Sequence, residues 1–154
     1  MRKMIIKYAD NKEKEGLIDY FKHYNNYGII KNRIECYIKH NKTLLAKENN
    51  KIIGVLQWHV KENPNAGVAE FEEFFVSREH RGKGIGSQLV DYAIRDIKKH
   101  FISINIKPRK IFLFVSKDNN NARKLYEKHG FRFIAELNDL FSDDNNELFY
   151  CLDL

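Results

Sequence analysis

Gly82, Gly84 and Gly86 place three of the chain's eight glycines in one short stretch, Arg81-Gly82-Lys83-Gly84-Ile85-Gly86-Ser87. Glycine has no Cβ, so successive backbone N–H groups can close on a bulky anion there. The apolar run Phe74-Phe75-Val76 leads into the stretch, and Ile85, Leu89, Ala93 and Ile97 recur behind it at helical spacing. A strand, a glycine turn and a helix start make an anion site, because the helix adds unpaired N–H groups and partial positive charge. The chemistry is phosphate binding. No Gly-x-x-x-x-Gly-Lys-Ser/Thr occurs, which excludes a Walker loop. A dinucleotide fingerprint fails at Ser87, where its third glycine belongs. Taken alone, the loop could also be a tight turn with no ligand.

Three carboxylates precede the loop: Glu70, Glu72 and Glu73, in a segment rich in Phe. Burying unpaired charge is costly, so these are candidates for proton transfer or for ion pairs with nearby Lys or Arg. Strand alternation puts Glu70 and Glu72 on one face and Glu73 on the other. Downstream, the apolar run Ile111 to Val115 leads to Asp118-Asn119-Asn120-Asn121-Ala122-Arg123-Lys124-Leu125-Tyr126-Glu127-Lys128-His129-Gly130-Phe131. Asn119 can cap a helix there, and Gly130 suits its left-handed stop. Ala122, Leu125, Tyr126 and His129 share one face of that helix.

Arg81-x-x-Gly84-x-Gly86, followed by Asn119-x-x-Ala122-x-x-Leu125-Tyr126-x-x-x-Gly130-Phe131, resembles the two central motifs of the GNAT superfamily of N-acetyltransferases. The run from Glu72 through Val76 into Arg81–Ser87 is most similar to the spermidine/spermine (diamine) acetyltransferase branch. The resemblance spans essentially the whole chain. It implies a mixed α/β fold, with a mostly antiparallel sheet of six to seven strands flanked by four helices. In that fold the fourth and fifth strands are parallel and splayed.

The resemblance also implies acetyl-CoA as cosubstrate, with no metal. Phe74, Phe75 and Val76 would meet the pantetheine arm. Arg81, Gly82, Lys83, Gly84, Ile85, Gly86 and Ser87 would hold the pyrophosphate, with Asn119 and Ala122 on the other side. Tyr126 takes the position of the tyrosine that assists the departing sulfur; a buried core tyrosine is the competing reading. Glu72 takes the position of the base and Glu73 that of the carboxylate holding a cationic amine, while other branches place their glutamate at Glu70. Tyr24 and Tyr27, beside Tyr20, are further candidates for the acceptor's walls, and Trp58 and His59 belong either to the site or to the core.

Such chemistry must solve a proton problem. An alkylammonium of pKa about 10.4 is neutral in roughly one molecule in 2,500 at pH 7, a cost of about 4.6 kcal/mol. A base has to take that proton. The expected reaction is direct attack of the amine in a ternary complex, since no cysteine stands in either motif. The acceptor is expected to be a small amine or polyamine. A protein N-terminus or lysine is the runner-up, and a non-catalytic CoA-binding sensor is the alternative from another class.

The chain has 154 residues, with 27 Lys and Arg against 21 Asp and Glu, a net charge of +6. This length suits one domain, residues 1–154. The basic excess around the motifs suits a phosphate-rich cofactor. No RNA motif or zinc-finger spacing points to nucleic acid, and no apolar run reaches membrane-spanning length. Cys36 and Cys151 are isolated, with no metal-ligand spacing. The expected protein is cytoplasmic; the resemblance allows a homodimer without fixing it. Acidic residues Glu136, Asp139, Asp143, Asp144 and Glu147 gather near the last turn.

The elements that must position these groups follow from periodicity. Strands are expected over Met4–Ala9, Thr43–Lys47, Lys51–Lys61, Val68–Val76, Ile111–Val115, Arg132–Leu137 and Glu147–Asp153. Helices are expected from Asn11 to about Asn25, from about Lys31 to His40, behind the glycine loop, and after Asn119.

Overall fold

The computed structural model describes residues 4–24, 31–40 and 42–154. In chain order the elements are β1 (Ile5–Tyr8), α1 (Lys14–Tyr24), α2 (Lys31–His40), β2 (Lys42–Glu48), β3 (Lys51–Val60), β4 (Val68–Val76), α3 (Ile85–Ser103), β5 (Lys110–Ser116), α4 (Asn120–Lys128), β6 (Arg132–Leu137) and β7 (Glu147–Asp153). This is the expected mixed α/β order. The strands follow one another across the sheet as β1-β2-β3-β4-β5-β7-β6, and β4 pairs with β5 in parallel, as expected. Among the described residues no helix is long and apolar enough to cross a membrane.

The contacts group into two compact units, Met1–His59 with Glu73–Ala93, and Val60–Glu72 with Ile94–Leu154. Both β4 and α3 therefore contribute to each unit.

In the first unit, β2 and β3 form an antiparallel hairpin closed by Asn49 and Asn50, both left-handed at φ 50° and 63°. That pair of positive φ values makes the tight turn that matches strand twist. Leu17, Tyr20 and Phe21 of α1 and Ile34 and Tyr37 of α2 pack with Leu45 and Val55 of the hairpin. Full burial of each large apolar side chain contributes about 1.5–3 kcal/mol. Elsewhere in this unit the start of α3 comes close at Gly54, where a Cβ would lie 3.1 Å from Leu89 and 3.4 Å from Ile85. The absent side chain at Gly54 thus sets how near the helix behind the glycine loop can approach its strand.

In the second unit, β5 pairs antiparallel with β7 over its whole length, from Lys110↔Asp153 to Ser116↔Glu147. Its parallel ladder with β4 covers Val68↔Lys110, Ala69↔Ile111 and Glu70↔Phe112. Ile111, Leu113 and Val115 are buried on one side of β5, while Phe112 and Phe114 are half-buried on the other. Phe131 closes on Phe71 and Tyr126, each pair of ring centroids 5.6 Å apart.

Candidate active site

The glycine loop has the backbone that its composition demands. Gly82 and Gly84 stand at φ +74° and +78°, a region an L side chain enters at a cost of about 1–2 kcal/mol. A Cβ at Gly82 would meet nothing within 4 Å, and one at Gly84 only the Gln88 amide at 4.0 Å. Both glycines therefore face open space, and their backbone is what a ligand would touch. The first turn of α3 closes with Gln88 N–H donating to Gly84 O at 3.1 Å. Arg81 and Lys83 are exposed on either side of Gly82, Ile85 is buried, and Gly86 and Ser87 are half-buried. An open glycine turn at the start of a nineteen-residue helix, flanked by two cations, fits a pyrophosphate.

The run before the loop is tied down from two directions. Tyr20 Oη donates to Phe75 O at 3.2 Å, and Arg81 Nε donates to Val76 O at 3.0 Å. Phe74, Phe75 and Val76 are half-buried. Ser77 N donates to Ile53 O at 2.9 Å, and the Ser77 hydroxyl lies 2.6 Å from His80 Nδ1.

The three strand carboxylates have different surroundings. Glu73 accepts a bond from Tyr37 Oη at 3.4 Å. Glu70 is held by Lys61 Nζ at 3.0 Å, so the ion-pair reading applies to it directly. Glu72 is exposed. The chain takes eight steps from Ile53 along β3 to Lys61 and nine from Val68 along β4 to Ser77, between the backbone bonds Ser77 N–H to Ile53 O and Lys61 N–H to Val68 O. One extra residue in β4 is what a bulge requires, and a bulge resets which side chains share a face. Burial alternates from Val68 to Phe71 and stops alternating at Glu72.

In α4, Asn119 Oδ1 accepts from Ala122 N at 3.2 Å, the expected cap, and Gly130 ends the segment at φ +87°. Asn119 is exposed and Ala122 half-buried. Tyr126 is 5 % exposed, and burial pushes its hydroxyl well above the usual tyrosine range. It therefore remains protonated at neutral pH, the state a hydrogen-bond donor needs. Arg123 and Glu127 flank it on the helix; Tyr150 Oη donates to Glu127 at 2.7 Å and accepts from Arg123 Nε at 3.4 Å.

Trp58 is a core residue whose Nε1 donates to Tyr8 Oη at 3.2 Å. Tyr27 and the Tyr24 side chain lie outside the described residues. The sequence offered Glu147, with the other acids near the last turn, either as a wall for a cationic acceptor or as part of a solvated loop; its side chain is buried at the start of β7. Asn145 Nδ2 donates to Glu147 Oε1 at 3.1 Å, and Ser116 Oγ donates to Asn145 Oδ1 at 3.0 Å. Burial pushes the Glu147 carboxyl up. Alternation with the buried Leu148 and Tyr150 puts Glu147 on the other face of the strand, so no local signal in the sequence announces its burial.

Known proteins resemble this chain in sequence and in fold. The chain is 27 % identical over 84 residues to the spermine/spermidine N(1)-acetyltransferase of Bacillus subtilis, 54 % of this chain and 51 % of that protein. The match thus spans about half the length of that relative. The acetyltransferase of the GNAT family from Streptococcus pneumoniae superposes with a TM-score of 0.83 at 18 % identity, covering 99 % of both chains. A Salmonella typhimurium protein solved with its cofactor acetyl-CoA superposes at 0.79 and 19 % identity, covering 98 % of this chain and 94 % of that one. The sequence pattern of the Acetyltransferase (GNAT) family matches residues 7–131, more than half of the chain. With that match, this chain belongs to the GNAT acetyltransferase family.

Proposed function

We propose that this protein transfers the acetyl group of acetyl-CoA to a primary amine, a small amine or polyamine, by direct attack in a ternary complex. The observation that carries the reading is the glycine loop. Its two left-handed glycines leave open space at the start of α3, where backbone N–H groups can receive a pyrophosphate. Acetyl-CoA, when bound, supplies the activated acetyl group. The likeness to a spermine/spermidine acetyltransferase over about half of that protein supports a polyamine as acceptor.

The chain's own residues then have distinct tasks. Arg81, Lys83 and the backbone of Gly82 to Ser87 bind the phosphates. Phe74 to Val76 offer strand backbone to the arm, with Asn119 and Ala122 on α4 completing the cofactor site. Glu72, exposed on β4, takes the proton from the ammonium, so that the neutral amine forms the new C–N bond. Tyr126 holds its proton and donates toward the sulfur as the C–S bond breaks. Glu73 and Glu70 hold positive charge near the amine, and Tyr24 and Tyr27 belong to the acceptor's walls.

The test is thiol release from acetyl-CoA against spermidine, spermine, amino acids and N-terminal peptides. Turnover with polyamines and none with peptides is the expected result. Turnover confined to peptides moves the acceptor to protein N-termini or lysines. Tight acetyl-CoA binding without turnover on any acceptor makes the protein a CoA-binding sensor.

A further inference from the structure

One side of the second unit's sheet carries an aromatic strip that none of the assigned roles uses. Phe112 and Phe114 of β5 meet Phe149 of β7 with ring centroids 5.6 and 5.3 Å apart, and Phe114 also meets Phe141 at 5.9 Å, edge to face. The cross-strand register Phe114↔Phe149 and Ser116↔Glu147 carries the same side of the sheet to the Glu147 carboxylate. Phe141 is 69 % exposed, and Phe112, Phe114 and Phe149 are half-buried, so the strip is not sealed as a core would be. Apolar rings left this open favour an apolar ligand body.

The charge at the strip's end gives the ligand its sign. Glu147 is 7 % exposed, and its hydrogen-bond partner among the described residues is a neutral amide, Asn145. A buried carboxylate without a cation is costly, and an ammonium beside it removes that cost. The neighbouring depression, ≈ 400 Å³, has Asp118, Asp139 and Asp144 on its rim against the single cation of Lys117. The molecule also shows the complementary chemistry at the strip's other end. The Lys61 ammonium sits 5.6 Å from the Phe112 ring centroid while bonded to Glu70. An alkylammonium over a phenyl ring beside a carboxylate is what an amine ligand would reproduce.

We propose that Phe112, Phe114, Phe149 and Phe141, ending on Glu147, form the acceptor surface and take an alkylammonium, its methylene body on the rings and its cation on Glu147. The proposal rests on the acetyltransferase reading for what happens to that amine, not for its binding. Asn145, held by Ser116, is the positioning residue that orients the Glu147 carboxylate.

The experiment is calorimetric titration of the CoA-loaded protein with n-hexylamine and n-propylamine, alongside the thiol-release assay. The wild type should bind hexylamine at least about tenfold more tightly than propylamine, since each buried CH2 contributes about 0.8 kcal/mol. Glu147→Gln keeps the shape and the Asn145 contact; it should weaken both amines about tenfold or more, leave CoA affinity unchanged, and not lower thermal stability. Phe114→Leu should narrow the difference between the two amines and leave CoA affinity alone. Unchanged amine binding in Glu147→Gln overturns the proposal, as does a wild type that binds CoA and neither amine. Amine binding weakened by Glu147→Gln, without thiol release on any acceptor, leaves this surface standing and removes the acetyltransferase reading instead.

Discussion

Tyr126 and Phe131 form one structural device at the end of α4. Phe131 N–H donates to the Tyr126 carbonyl at 3.1 Å, and the two rings meet edge to face at 5.6 Å. His129 N–H donates to the same carbonyl at 2.9 Å. The helix stop and the aromatic contact therefore fix the tyrosine ring and with it the position of its hydroxyl.

Replacing that hydroxyl separates a core role from a catalytic one. Tyr126→Phe should lower turnover by about 10²–10⁴, with a thermal midpoint close to that of the wild type because the ring packing is kept. Thiol release and a melting curve on the same preparation check both halves. Turnover at the wild-type level would leave Tyr126 as packing alone.

The strand carboxylates make distinguishable predictions. Glu72→Gln should lower kcat by about 10²–10⁴ by removing the base, whereas Glu73→Gln should mainly raise the acceptor's KM. Steady-state kinetics at saturating acetyl-CoA read the split. A full kcat in Glu72→Gln, with a loss in Glu70→Gln, would move the base to the residue now paired with Lys61.

Gly84→Ala tests the loop. The new Cβ must enter the left-handed region, at a cost of about 1–2 kcal/mol, and it would project into the space left for the phosphates. The KM for acetyl-CoA should rise about tenfold or more, equivalent to about 1.4 kcal/mol, with the acceptor's KM little changed. Equal loss for both substrates would point to general misfolding instead.

Acid should weaken the first unit at one identifiable place. Burial favours the neutral form of Glu13, but bonds from Lys7 and Lys47 Nζ, at 2.9 and 3.1 Å, and from Asp10 N–H overrule it and hold the carboxyl at about 2, against an ordinary value of 4.5. A depressed carboxyl stabilises fully above its unfolded value and loses that contribution as pH falls through the folded one. Between about pH 4.5 and 2, wild-type stability should fall while Glu13→Gln, less stable at neutral pH, falls less. Urea midpoints across that range measure the difference.

Much of this architecture was legible in the residues because punctuation and period agreed. β4 runs over Val68–Val76 as expected, since Pro64 and Gly67 bound it on one side and the glycine loop on the other. β6 and β7 also keep their expected limits. The Asn119 cap and the Gly130 stop were equally readable, because each acts within one turn of its own helix. What failed to show depended on distant partners. The extra residue between Val68 and Ser77 leaves no compositional mark, because it shows only against the partner strand's count. Glu147 looked like one more acid in a polar turn, because its burial depends on pairing with Ser116 of β5. The Tyr20 bond to Phe75 O joins residues far apart in sequence and has no local signature.

The sharing of β4 and α3 between the two units sets the order in which a newly made chain can fold. The first unit lacks its last strand residues and half a helix until Ala93 has been synthesised. By then the ribosome has already delivered Val60–Glu72, which must wait for the remainder of its own unit, up to Leu154. Neither unit is a continuous segment, so no single cut yields two independently foldable fragments. A chain cut after Ala93 would carry the glycine loop beside an orphaned piece of strand, residues 68–72, with Phe71 as its one aromatic ring and the rest of its own unit absent.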